Sequence, residues 1–244
     1  DDLVFQEGEI YDREIIFDGG NYKNISFRGG TFKKLFFRRG NFNGYVSIRG
    51  GTIDSLVLLG GNFNHWLGTL DGINNPKDSE QKLAEEPLII KRFELEGGTY
   101  HHGLWISGGE IDRFEIKSIS DIILHCKPSD DEDYKEESKQ YEKKHQSKTV
   151  IKDLIISRYC NKNSYYHFSE LDLESLQFVN FTNLGNITIA DIELSKHLTF
   201  ENSDLGKTTF IDCDFSTQEM IFDSSKINEI GLAGTKLPTS ANIK

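Results

Sequence analysis

The chain has 244 residues, a net charge of −11 and a pI near 5.1, an acidic balance that argues against nucleic-acid binding. Apolar residues make up 36% and mean hydropathy is −0.48, low for a globular core but natural for a thin tube; no apolar run is long enough to span a membrane. Three cysteines (Cys126, Cys160, Cys213) with no CxxC spacing support neither a disulfide framework nor a zinc ribbon, and they point to a reducing, cytoplasmic compartment.

The chain opens at Asp1 without an initiator Met or a signal peptide, which reads as a processed or engineered start. Gly8-x-Ile10 and Ile15-x-Phe17 then introduce a pattern that becomes regular from Gly19. Large apolar residues stand at Tyr22, Phe27, Phe32, Phe37 and Phe42, every fifth position, and after one extra residue at Ile48, Ile53, Leu58 and Phe63. A helix face repeats every 3.6 residues and a half-buried strand every two, so a period of five fits neither. Two positions before each of these residues stand Gly20, Ile25, Gly30, Leu35, Gly40, Val46, Gly51, Leu56 and Gly61. Residues two apart share one face of an extended chain, so each pair can face a common interior, with a tight turn before the next pair. The result is a coiled ribbon with short sides. Asn21, Asn41 and Asn62, like Thr31 and Thr52, return after four such sides, which sets a coil of about 20 residues whose identical side chains stack.

This pattern resembles the pentapeptide-repeat family, whose members form right-handed quadrilateral β-helices. The resemblance implies an all-β solenoid, and it is carried most closely by the C-terminal stretch, in Ser203-Asp204-Leu205, Thr208-Thr209-Phe210 and Cys213-Asp214-Phe215. Some members of that family resemble DNA in shape and charge and inhibit type II topoisomerases. The basic N-terminal coils fit that role poorly, and the acidic C-terminal coils keep it as the alternative.

Past Phe63 the ladder stops, and residues 65–92 read as an insertion with a short helix around Ser79–Glu85. It returns at Phe93-x-Leu95, Gly98-x-Tyr100, Leu104-x-Ile106, Gly109-x-Ile111 and Phe114-x-Ile116. A second insertion, 125–149, is polar and of mixed charge and cannot form core, although Glu132–Lys144 could make a frayed helix. From Leu171 the ladder runs through Leu173, Phe178, Leu184, Ile189, Leu194, Phe200, Leu205, Phe210, Phe215, Phe222, Ile227, Leu232 and Leu237. Residues 1–244 thus read as a single solenoid domain. Gly231–Lys244 offers no amphipathic closure, so the expectation is a fragment of a longer protein, with a neighbouring domain, a protein partner or an end-to-end homo-oligomer stacking there.

Candidate chemistry is sparse. His101-His102 and His125-Cys126 lack the three or four converging ligands of a zinc site, and Asp212 and Asp214 beside Cys213 read as turn residues. No stacked row of catalytic carboxylates appears, so the reading is a non-catalytic interaction or scaffold module without cofactor or metal. Trp66, Tyr100 and Trp105 are the candidate protein-interface aromatics. Lys23, Arg28, Lys33, Arg38 and Arg49 follow inward positions on successive sides and form a candidate anion-facing belt.

Overall fold

The computed structural model describes residues 3–5, 8–65, 67–70, 88–101, 104–107, 109–117, 119, 122–125, 150–159, 165–169, 171–238 and 241–243. Among these residues the secondary structure is β throughout, and the strands pair in parallel with the coil that follows. The molecule is a β-solenoid in which each coil contributes four sides.

On the first side Tyr11, Phe32, Ile53, Ile90, Ile111, Ile151, Leu173 and Leu194 are register partners in successive coils. On the second, Phe17, Phe37, Leu58, Leu95, Ile116, Ile156, Phe178, Phe200 and Phe222 line up in the same way. The third side carries Tyr22, Phe42, Phe63 and Tyr100. The fourth carries Phe27 and Ile48, and further along Phe168, Ile189, Phe210 and Leu232. One apolar core runs along the interior.

The five-residue ladder therefore is the four-sided coil. Parallel strands repeat every 4.7–4.9 Å, and aromatic rings at matched positions must stack at about that spacing. They do: Tyr11 on Phe32 at 4.7 Å, Phe17 on Phe37 at 4.8 Å, Phe42 on Phe63 at 4.5 Å and Phe178 on Phe200 at 5.2 Å. The repeated asparagines stack as expected, Asn41 donating through Nδ2 to Asn21 Oδ1 and Asn62 to Asn41 Oδ1, both at 2.9 Å.

Coil length changes along the chain. Ile15 pairs with Leu35 and Leu35 with Leu56, spacings of 20 and 21 residues, whereas Leu154, Leu176, Leu198 and Met220 follow one another every 22. At the start, Tyr11 and not Ile10 faces the core. Ile10 is exposed, because a register shift between Tyr11 and Glu14 inserts one residue before Ile15. The solenoid also continues through what the sequence marked as insertion. Leu67–Leu70 pairs with Val46–Arg49, and Leu88–Glu96 with Gly51–Leu59, so the described strands before and after residues 71–87 both belong to the solenoid. Thr69 stands at the rung of Ile48, and a threonine there hides the ladder from an apolar scan. Further on, a register shift between Asn183 and Asn186 brings Asn183, not Leu184, opposite Leu205. Asn183 is fully buried, and its Oδ1 accepts the Gly185 N–H at 2.9 Å, as burial of a polar group requires. The helices expected over 79–85 and 132–144 lie outside the described residues.

Candidate interaction surface

An outward side chain on a solenoid is set by the residue just before or after an inward one, so each side presents columns of surface residues one rung apart. On the second side the central outward column begins Ile16, Phe36, Val57 and continues Glu94, Glu115. Its first part is apolar: Ile16 is 50% exposed, Phe36 and Val57 are half-buried, and Leu59 beside them is 36% exposed. Cations frame it. Lys34 Nζ lies 5.0 Å and the Arg38 guanidinium 5.6 Å from the centre of the Phe36 ring, within cation–π range. Asp18 holds Arg38 in place and also accepts from Arg39 Nη2 at 2.7 Å. The Arg38 hydrogen bond, then that of Arg39, keeps the Asp18 carboxyl below the usual carboxylate range.

The second part of the column is ionic. Glu94 and Glu115 occupy adjacent rungs, where like charges would repel. Lys117 Nζ bridges them at 2.7 and 2.6 Å, Arg92 binds Glu94 at 2.9 Å and Arg113 binds Glu115 at 2.5 Å. Burial pushes the Glu115 carboxyl up, but its hydrogen bonds from Lys117 and Arg113 outweigh this and leave it lowered. For Lys117, burial acts downward and the bonds to Glu115 and Glu94 raise it overall.

A second electrostatic feature runs along the corner between the first and second sides. Asp12, Lys33, Asp54, Lys91, Asp112, Lys152 and Glu174 each follow a register-matched inward residue, so charges alternate from coil to coil. Lys91 binds Asp54 at 2.6 Å, Lys152 binds Asp112 at 2.5 Å and also Glu110, and Lys196 closes onto Glu174. The carboxylates hold Lys91, Lys152 and Lys196 above the ordinary lysine range, the largest effect in each being a hydrogen bond, to Asp54, Asp112 and Glu174 respectively.

These placements redraw the expected sites. Tyr100 is not a surface aromatic: it is 9% exposed, stacks on Phe63 at 5.0 Å and donates its hydroxyl to the Gly97 carbonyl at 3.3 Å. Its desolvation drives the phenol pKa upward. Glycine at the neighbouring corner makes room for the ring inside the tube, so Tyr100 is a core residue. Trp66 lies outside the described residues. The backbone of Trp105 takes the register position of Gly68 and, one rung earlier, Ser47; its side chain lies outside the described residues. The basic belt does not act as one group. Arg38 is engaged with Asp18, Lys33 stands in the alternating column, and Lys23 sits at the corner between the third and fourth sides. Only Arg28 and Arg49 are rung neighbours, on the fourth side, with Arg49 Nε donating to Ser47 Oγ at 3.2 Å.

Among the described residues no three His, Cys, Asp or Glu side chains gather in a way that could hold a metal, and no helix is long and apolar enough to cross a membrane. Cys213 is buried and free, its thiol pushed up by desolvation; Cys126 and Cys160 lie outside the described residues. The fold defines the chain as a parallel β-solenoid. Comparison with models of known protein families, with curated proteins and with solved structures finds no match to the chain.

Proposed function

We propose that this chain is a non-catalytic interaction module, the partner-binding part of a larger assembly, which holds a protein segment on the outer face of its second side. The observation that carries this reading is the column Ile16, Phe36, Val57 with Leu59, a partly exposed apolar stripe on the sheet framed by Lys34, Arg38 and Arg39. Monomeric soluble proteins rarely leave an apolar strip bare unless something binds it. A ladder of rungs suits a partner laid along the solenoid, its apolar side chains over Ile16 and Phe36 and its carboxylates toward the flanking cations.

A photo-crosslinking residue in place of Phe36 tests this in cells, with the same residue in place of Thr188 or Thr209 on the fourth side as control. The reading expects one defined protein crosslinked from the Phe36 position alone. Equal or absent crosslinking from both faces overturns it.

The alternative is a DNA-mimicking inhibitor of a type II topoisomerase, in the manner of the pentapeptide-repeat proteins that the sequence resembles. It is favoured by Asp172, Glu193 and Asp214, stacked on the first side of the C-terminal coils. The Lys/Asp alternation on the adjoining corner interrupts any long anionic strip. Inhibition of DNA supercoiling at modest excess of the chain would favour this second reading over the first.

A further inference from the structure

The second side carries more than the apolar stripe. Its strands stack in register from Glu14–Asp18 to Glu219–Asp223, and each shows an outward residue at either edge and one in the centre. Residues 71–87 and 126–149 each fall between a strand of the fourth side and one of the first, so the stacking of the second side passes both without a gap.

The two halves of this face differ in charge. Around the stripe the edges carry Lys34 and Arg38, with Arg39 at the corner, bonded to Glu14 and Asp18. Beyond Glu115 the outward positions include Asp153, Glu201, Glu219 and Asp223 but no lysine or arginine. Apolar surface continues there as well, since Ile155, Val179 and Ile221 are outward and half-buried.

Taking the second side as an interface, a reading on which this step rests, we infer that its partner is the same face of a second copy, laid against it with the coil order reversed. The two-fold axis runs along the strands, between the rungs of Glu115 and Ile155. Contacts are then reciprocal, as a closed two-fold interface requires. Lys34 faces Glu219, Arg38 faces Asp223 and Arg113 faces Asp153, while Phe36 packs on Ile221, Val57 on Thr199 and Glu94 on Gln177. Glu115 meets Ile155 with its charge already met by Lys117 and Arg113.

The charges select this arrangement, because like charges placed opposite one another disfavour the others. A shift of one rung sets Glu14 on Glu219 and Asp18 on Asp223; the opposite shift sets Glu96 on Glu201 and Asp153 on its own copy. Two copies with the same coil order would set Lys34 on Arg38, Arg113 on Lys117 and Glu219 on Asp223. Only the reversed order in the stated register keeps these groups apart.

Sedimentation of the purified full chain over a wide concentration range tests the inference, with Arg38→Glu and Asp223→Arg reversing one partner each. Circular dichroism verifies that both variants keep the β-solenoid. Wild type should form a dimer and nothing larger, weakened by salt. Each variant alone opposes like charges twice and should dimerise about a hundredfold more weakly or worse. Their equimolar mixture should recover a one-to-one dimer. Independently of these variants, a photo-crosslinking residue in place of Phe36, in chain mixed with an isotope-labelled copy, should link to residues 219–223 of the other molecule. A wild type that stays monomeric throughout, growth past the dimer, or crosslinks between copies to residues 34–38 instead overturns the inference. A monomeric purified chain whose position 36 still captures a different protein in cells overturns it and leaves the second side an interface; capture of neither overturns both.

Discussion

The N-terminal and C-terminal coils solve the same corner differently. In both, the chain leaves a side, turns through the left-handed region, at two consecutive residues in the N-terminal corners and at one in the C-terminal corners, and begins the next side. In both, the turning residue donates its N–H to the next coil: Gly19 to the Arg38 carbonyl at 2.9 Å, Asn202 to that of Asp223 at 2.9 Å. The N-terminal corners mostly use paired glycines, and the second one packs backbone against backbone. A Cβ on Gly40 would stand 2.6 Å from the Gly19 carbonyl oxygen, and one on Gly51 2.3 Å from that of Gly30, at φ values of +100° and +84°. The C-terminal corners place Asn180, Asp191, Asn202, Asp212 or Ser224 at φ near +50°, the left-handed conformation that Asn and Asp tolerate best.

At Ser203, Ser225 and Thr235 the C-terminal corners place a small polar side chain where the N-terminal ones have the second glycine. The Phe181 N–H donates to Ser203 Oγ at 3.3 Å, the Ser203 N–H to Ser225 Oγ at 3.0 Å and the Cys213 N–H to Thr235 Oγ1 at 3.3 Å. Each hydroxyl donates in turn to the carbonyl two residues before it. One region thus stacks its corners by close backbone approach, the other by hydroxyls handed down from the next coil. The side columns are indifferent to this choice, which is why aromatic stacking persists through both.

Phe63→Ala and Phe200→Ala test the shared part of this comparison. Each ring is fully buried between two others, so each deletion should cost about 3–5 kcal/mol in chemical denaturation, and by similar amounts in the two regions. The corners should then separate the regions. Gly51→Ala meets backbone at a conformation that L residues avoid and should cost roughly 2–4 kcal/mol, whereas Asn202→Gly should change stability by no more than about 1 kcal/mol. Ser203→Ala removes the acceptor for the buried Phe181 N–H and should cost about 1–3 kcal/mol, an effect with no counterpart at the glycine corners.

The smallest effect expected is electrostatic and sits between the two regions. The Glu115 carboxyl is lowered in the folded state, so its contribution is present above the unfolded value of about 4.3 and is lost as pH falls through the folded value. The difference in stability between wild type and Glu115→Gln should therefore be constant near neutrality and shrink in acid. Lys117 is raised, so its contribution is complete below about 10.4 and is lost as pH rises through the folded value. Denaturation midpoints measured from acid to alkaline pH check both signs.

Much of this architecture is written locally in the chain. Tyr22 to Phe63 reports the sides, Asn21, Asn41 and Asn62 report the coil, and both readings stand because each depends only on residues within one or two coils. The outward features depend on register across interruptions. Lys33 and Asp54 lie 21 residues apart, but Asp54 and its ion partner Lys91 lie 37 apart, and Asp112 and Lys152 lie 40 apart. No fixed period finds that column. The same limit gathers Arg38 into the belt, since its partner Asp18 becomes a neighbour only once coils are stacked. Tyr100 was legible as an inward position, two after Gly98, and its aromatic character misdirected the reading toward the surface. Ile16 and Phe36 went unnoticed because each is the middle residue of an apolar triplet, Ile15-Ile16-Phe17 and Leu35-Phe36-Phe37, whose flanking members carry the ladder.

Leu88–Glu96 stacks in register on Gly51–Leu59, making Val57 and Glu94 adjacent outward residues on the second side. Adjacent parallel rungs bring Cα atoms within disulfide range. The most direct measurement is oxidation of the folded chain carrying Val57→Cys with Glu94→Cys, the linkage mapped by peptide mass spectrometry. A rapid, near-complete Val57–Glu94 crosslink is the expected result, matching a Phe36→Cys, Val57→Cys control that spans no interruption. Efficient crosslinking in the control with none between positions 57 and 94 would contradict the account.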